Sequence, residues 1–198
     1  EAILQMLSFE KGELRDIAIS VGVLAVAVSG IGPEWRGWGV VLGNLIAVSI
    51  PLVVGFFGHE MVHKTVAERY GYRSYYQMWT QGLVIALLIG IASSGRFLFA
   101  APGAVMIQAG GATIEENGKI SLSGPLTNLA VGALFFPLTL LPGLLSFIGH
   151  YGVFINTWLA FFNLLPVGPL DGKKIFRWKP KLSITMLGLT GFLLFFVL

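Results

Sequence analysis

The chain has 198 residues, 55% of them hydrophobic and only 12% charged, with a net charge of +3 and a mean hydropathy of +0.79. A water-facing domain usually carries about 25% charge, so a soluble globule lacks the polar surface it would need, and lipid is the solvent that the composition fits. There is no cysteine, which excludes disulfides and thiolate metal ligands, and the basic residues do not form one run that would suit nucleic acid.

No polar linker divides the chain, so residues 1–198 read as a single membrane-embedded domain. A mixed segment, 1–16, precedes an apolar run over 17–31, and Gly32 to Arg36 makes a turn with an interfacial Trp35. From Trp38 the chain is uncharged to Phe57, and the helical pattern continues to about Tyr70. That helix is roughly 50 Å long, with Pro51 inside it and Lys64, Arg69 and Arg73 marking its exit from the bilayer. The run 81–94 is apolar but short. Residues 96–119 carry Pro102-Gly103, Gly110-Gly111 and Asn117-Gly118, which are turn and strand signals. Three further apolar runs follow, 121–141, 151–165 and 182–198, with Lys173 to Lys181 as a second basic cluster.

Both basic clusters are expected to face the cytoplasm. The two helices between them supply two crossings, so residues 81–120 must start and finish on one side; the alternative is that 81–95 spans and the charge bias does not set the orientation. The expected fold is therefore an all-α polytopic membrane protein with about five to six transmembrane helices. A small re-entrant β hairpin or sheet element lies between the helix of His59 and the helix that opens Ser123-Gly124-Pro125-Leu126-Thr127-Asn128. Irregular backbone survives at membrane depth only where protein or water covers it.

The chemistry concentrates in His59-Glu60-Met61-Val62-His63, the pattern HExxH. Residues i and i+4 share a helix face, so two imidazoles can chelate one metal, with zinc the natural choice for nitrogen and oxygen ligands. Glu60 is placed to act as general base toward a water on the fourth position. The chain has only three histidines and two fall in this pattern, after an uncharged run that puts Glu60 near membrane depth, where a carboxylate is costly. A third ligand must come from elsewhere. Asp171 stands out among the few acids because it follows an apolar helix and is flanked by Pro169, Leu170 and Gly172. His150 reads as a surface residue in an outer loop.

His59-Glu60-x-x-His63, then Gly124-Pro125-Leu126-x-Asn128, then Asn163-x-x-Pro166-x-x-x-Leu170-Asp171-Gly172 resembles the site-2 protease family of intramembrane zinc metalloproteases, peptidase family M50, in motif order. The resemblance covers residues 55–175 within a catalytic core of about 38–175. It implies Zn2+ bound by His59, His63 and Asp171, water activation by Glu60, and a substrate or oxyanion role for Asn163. It implies hydrolysis of peptide bonds in or next to transmembrane segments of membrane-anchored substrates, that is, regulated intramembrane proteolysis. Gly124 and Pro125 are assigned to close helix packing. The PDZ or CBS domain that the family often carries is not visible.

A substrate helix must unwind before cleavage, and an extended segment can pair with an exposed strand edge. The strand-like residues Phe97, Leu98, Phe99, Ala104, Val105, Met106 and Ile107 are the candidates for that edge. The expected partners are a transmembrane protein substrate and the lipid bilayer, with no nucleic acid. The expected location is a prokaryotic cell membrane, with the site toward the cytoplasmic side. The alternative is a membrane zinc-binding transporter or a catalytically inactive protease-like protein.

Overall fold

The computed structural model describes residues 9–99, 101–108 and 111–197. Its elements are α1 (Glu13–Ala27), α2 (Trp38–Arg69), β1 (Arg73–Met78), α3 (Thr80–Ala92), β2 (Gly103–Gln108), α4 (Ile114–Phe135, followed by a 3₁₀ turn to Leu140), α5 (Leu144–Leu164), α6 (Asp171–Trp178) and α7 (Pro180–Phe192, followed by a π turn to Val197). Among the described residues four helices are long and apolar enough to cross a membrane: α2, α4 with its 3₁₀ turn, α5, and α7 with its π turn. The remaining apolar helices, α1 with 15 residues and α3 with 13, are shorter than a roughly 20-residue span. Outward-facing side chains such as Leu134 and Leu140, each 78% exposed, and Phe196, 79% exposed, need a lipid solvent.

The core forms where α1, α2, α3 and α5 meet, around Leu24, Leu52, Phe56, Tyr76, Ala86 and Leu159. A second cluster of Leu164, Ile175 and Met186 joins α5, α6 and α7. The two strands form an antiparallel pair with Tyr76 opposite Val105 and Met78 opposite Gly103. They flank α3 rather than a tight turn. The Trp79 N–H donates to the Pro102 carbonyl at 2.8 Å, so the chain re-enters where it left. The chain runs out along α3 and returns to the strand pair, so the small β element expected between the two motif helices is present, with its strands joined through α3.

Helix α1 closes the outer edge of β1. The Tyr76 N–H donates to Glu13 Oε1 at 3.0 Å and the Met78 N–H to Asp16 Oδ2 at 3.4 Å. Glu13 in turn accepts from Lys64 Nζ at 2.7 and 2.9 Å, and both side chains are buried. Lys64 therefore does not mark the exit of α2 from the bilayer; Glu13 draws it into the protein. Burial pushes the Tyr76 phenol far above its ordinary range, which keeps it protonated for its 2.8 Å bond with Ser20.

Several local expectations change. Asn117-Gly118 is not a turn but lies inside α4. Thr113 caps that helix: its hydroxyl accepts from the Glu116 N–H at 3.1 Å while Glu116 accepts from the Thr113 N–H at 2.8 Å, a capping box. The apolar run expected to begin at Tyr151 starts a helix at Leu144, so His150 is helical, though exposed as expected. β1 had no sequence expectation, because Arg73 to Met78 is short and its apolar residues are tyrosines.

Candidate metal centre and catalytic cavity

His59 and His63 lie one turn apart on α2, ten and six residues before its end at Arg69, so His59 sits about 15 Å inside that end. Their Nε2 atoms are 3.0 Å apart. Asp171, the first residue of α6, brings its Oδ2 to 2.9 Å from His63 Nε2 and 3.2 Å from His59 Nε2. All three residues are buried, and the fold brings the Asp across 108 sequence positions.

The outer ring nitrogens fix the protons. His63 Nδ1 lies 2.7 Å from the Ile120 carbonyl, which can only accept, so Nδ1 carries the hydrogen. His59 Nδ1 lies 2.6 Å from Asn128 Oδ1, and the Asn128 amide nitrogen donates to the Gly55 carbonyl at 3.0 Å, so the amide oxygen faces the ring. Each Nε2 therefore presents a lone pair. Two such lone pairs and a carboxylate oxygen at about 3 Å from one another repel, and a cation between them removes the repulsion. A tetrahedral zinc with bonds of about 2.0–2.1 Å sets its ligand atoms about 3.3 Å apart. The observed edges of 2.9, 3.0 and 3.2 Å are close to that, so these residues fit zinc. Gly124 makes room for them: a Cβ there would run into Nε2 of both histidines.

Glu60 is buried beside this triad, and its Oε2 is the buried side-chain oxygen that finds no partner among the described residues. Val105 of β2 lines the same cavity as this carboxylate. Around them lies a cavity of about 630 Å³, walled by α2, both strands, α4 and the start of α6. Ala104, Val105, Met106 and Ile107 line it, so four of the seven residues expected at a substrate edge reach the site. Phe97, Leu98 and Phe99 do not. Phe97 and Phe99 pack edge-on against Trp158 and Phe162 of α5, and the Leu98 carbonyl accepts from Trp158 Nε1 at 2.8 Å. They belong to the returning limb behind α3, not to a strand.

Asn163 also lines the cavity, with its amide nitrogen donating to the Leu159 carbonyl one turn back at 3.0 Å. Two further residues at the site had no role assigned from sequence. Asn128 holds His59, and Lys174 puts its Nζ 3.9 Å from Asp171 Oδ1 at the cavity wall. The signal for Lys174 was its i+3 spacing from Asp171, which puts both on one face of a helix.

The chain is similar in sequence to two curated proteins. A protein of Methanocaldococcus jannaschii described as "Putative zinc metalloprotease MJ0611" is 41% identical over 196 residues, covering 97% of this chain and 98% of the relative. A protein of Mycobacterium tuberculosis described as "Putative zinc metalloprotease Rip3" is 28% identical over 136 residues, 65% of this chain and 30% of that protein. No family model matches the chain, and no solved structure matches it significantly.

Proposed function

Because this chain belongs to the site-2 protease family of zinc metalloproteases, we propose that it is a zinc metalloendopeptidase that cuts peptide bonds in or next to transmembrane segments of membrane-anchored proteins. The observation that carries this reading is the convergence of His59 Nε2, His63 Nε2 and Asp171 Oδ2 beside the unpartnered Oε2 of Glu60.

His59, His63 and Asp171 hold the metal. When bound, zinc supplies a Lewis acid that polarises a carbonyl and makes water acidic near neutral pH. Glu60 takes the proton of the attacking water on Oε2 and delivers it to the leaving amine. Substrate lies along the free edge of β2, where the backbone groups of Gly103, Val105 and Ile107 turn away from β1. Asn163 contributes a second amide hydrogen to the substrate backbone or the developing oxyanion. Lys174 at the cavity wall belongs to the basic cluster Lys173 to Lys181, which with Arg69 and Arg73 marks the cytoplasmic end of a multi-pass protein in a prokaryotic cell membrane.

The test is Glu60→Gln, which keeps size and removes the base. The expected result is zinc content equal to wild type and cleavage of a membrane-embedded reporter reduced about 10²–10⁴-fold. A variant that retains zinc and cuts at the wild-type rate removes Glu60 from the chemistry.

A further inference from the structure

Asn156 lies on α5, fully buried, and touches none of the three ligand side chains. Its amide nitrogen donates to two backbone carbonyls, Gly152 at 2.9 Å and Pro51 at 3.4 Å. Carbonyls only accept, so this amide has one permitted orientation. Its Oδ1 is thereby turned to the Asn128 amide nitrogen, which donates to it at 3.2 Å. Asn128 uses its other hydrogen on the Gly55 carbonyl at 3.0 Å, which leaves its oxygen for His59 Nδ1 at 2.6 Å. The approach is tight: a Cβ on Gly55 would occupy the place of Asn156 Oδ1.

We infer that Asn156 is a positioning residue for the metal centre, setting the orientation of Asn128 and through it the Nδ1–H tautomer of His59. The direction matters chemically. With Asn128 turned over, its NH2 would face His59 Nδ1, the ring would carry its hydrogen on Nε2, and that nitrogen could not bind a cation. The Gly55 carbonyl alone gives Asn128 one preference. Asn156 adds a second acceptor, so the reversed amide would set oxygen against oxygen twice in a buried site. His63 has no such relay, because a backbone carbonyl that cannot turn over holds its Nδ1 directly.

This rests on the metalloprotease reading, and the experiment separates the two. The chain holds three histidines, so ring ¹⁵N shifts are readable in the full-length, metal-free protein in detergent, at a pH that keeps imidazoles neutral. In the wild type His59 is expected wholly as Nδ1–H. In Asn156→Leu it is expected as a mixture containing Nε2–H, while His63 is unchanged. Zinc affinity by chelator competition is expected to fall about 10–100-fold, the usual loss for an outer partner of a metal-binding histidine. Asn156→Ala, which leaves more space, serves if the leucine variant does not fold. A folded variant with lower thermal stability but an unchanged His59 tautomer and zinc affinity overturns the proposal. A wild type that takes up no zinc overturns the metalloprotease reading, while the tautomer of the metal-free protein still decides the relay.

Discussion

Lys64 follows His63 directly, yet its neighbour in space is Glu13, fifty-one positions earlier. A buried ion pair is costly to form and costlier to break, because one partner removed leaves the other charged and dry. Glu13 also accepts from the Tyr76 and Glu10 N–H groups, so its carboxylate ties α1, β1 and α2 at one point. Glu13→Ala should therefore destabilise the protein by about 3–5 kcal/mol. Glu13→Gln, which keeps an acceptor, should fall between that and wild type. Thermal melting of the detergent-solubilised variants measures both, and an unchanged melting point for the alanine variant would refute the tie. The metal side chains show the reverse relation to sequence. His59 and His63 were legible as a pair because helical periodicity alone brings them together, whereas Asn128 gained its role only when α4 was seen to cross α2 at Gly124 and Gly55.

At the scale of elements, the β pair is the unit that the proposed function assigns to substrate. Its two outer edges differ: Glu13 and Asp16 of α1 occupy that of β1, and the edge of β2 faces the cavity. The register makes Tyr76, Met78 and their partners Val105 and Gly103 the residues whose backbone groups turn outward, and Ile107, opposite Ser74, shares that parity. Ile107→Pro removes one outward N–H and leaves the ladder to β1 intact. The expected outcome is a raised KM for a membrane-embedded reporter, a largely retained kcat and unchanged zinc content. An unaltered KM would show that substrate does not pair with β2. The strand signal in residues 103–108 was present in the sequence, but its partner was not. Arg73 to Met78 carried no strand expectation, and only the return of the chain after α3 to the Pro102–Trp79 contact brings the two strands together.

Across the whole molecule, charge is sorted to two ends. Tyr72 donates to Glu116 at 3.0 Å, and Gly118 packs on Trp178, so the ends of α2 and α6 and the start of α4 share one end with Arg69, Arg73 and Lys173 to Lys181. At the other, Arg96 pairs with Glu34 at 2.5 and 2.7 Å. In this cysteine-free chain, Arg73→Cys and Arg177→Cys should react with an impermeant thiol reagent from the same side of a sealed membrane, and Arg96→Cys from the opposite side. Labelling of Arg73→Cys and Arg177→Cys from opposite sides would overturn the topology. The sequence by itself determined the solvent and the two-histidine chelate, because hydropathy and helical spacing are local properties; it expected about five to six spans where four helices are long enough. It also marked Asp171 and Glu60, since a carboxylate in an apolar setting is conspicuous. Tertiary structure alone decided which ring nitrogen is left for a cation and which strand edge stays open, and it carried Asp171 to the histidines. Those depend on helices crossing at glycines and on hydrogen bonds between residues tens of positions apart, which no local pattern encodes.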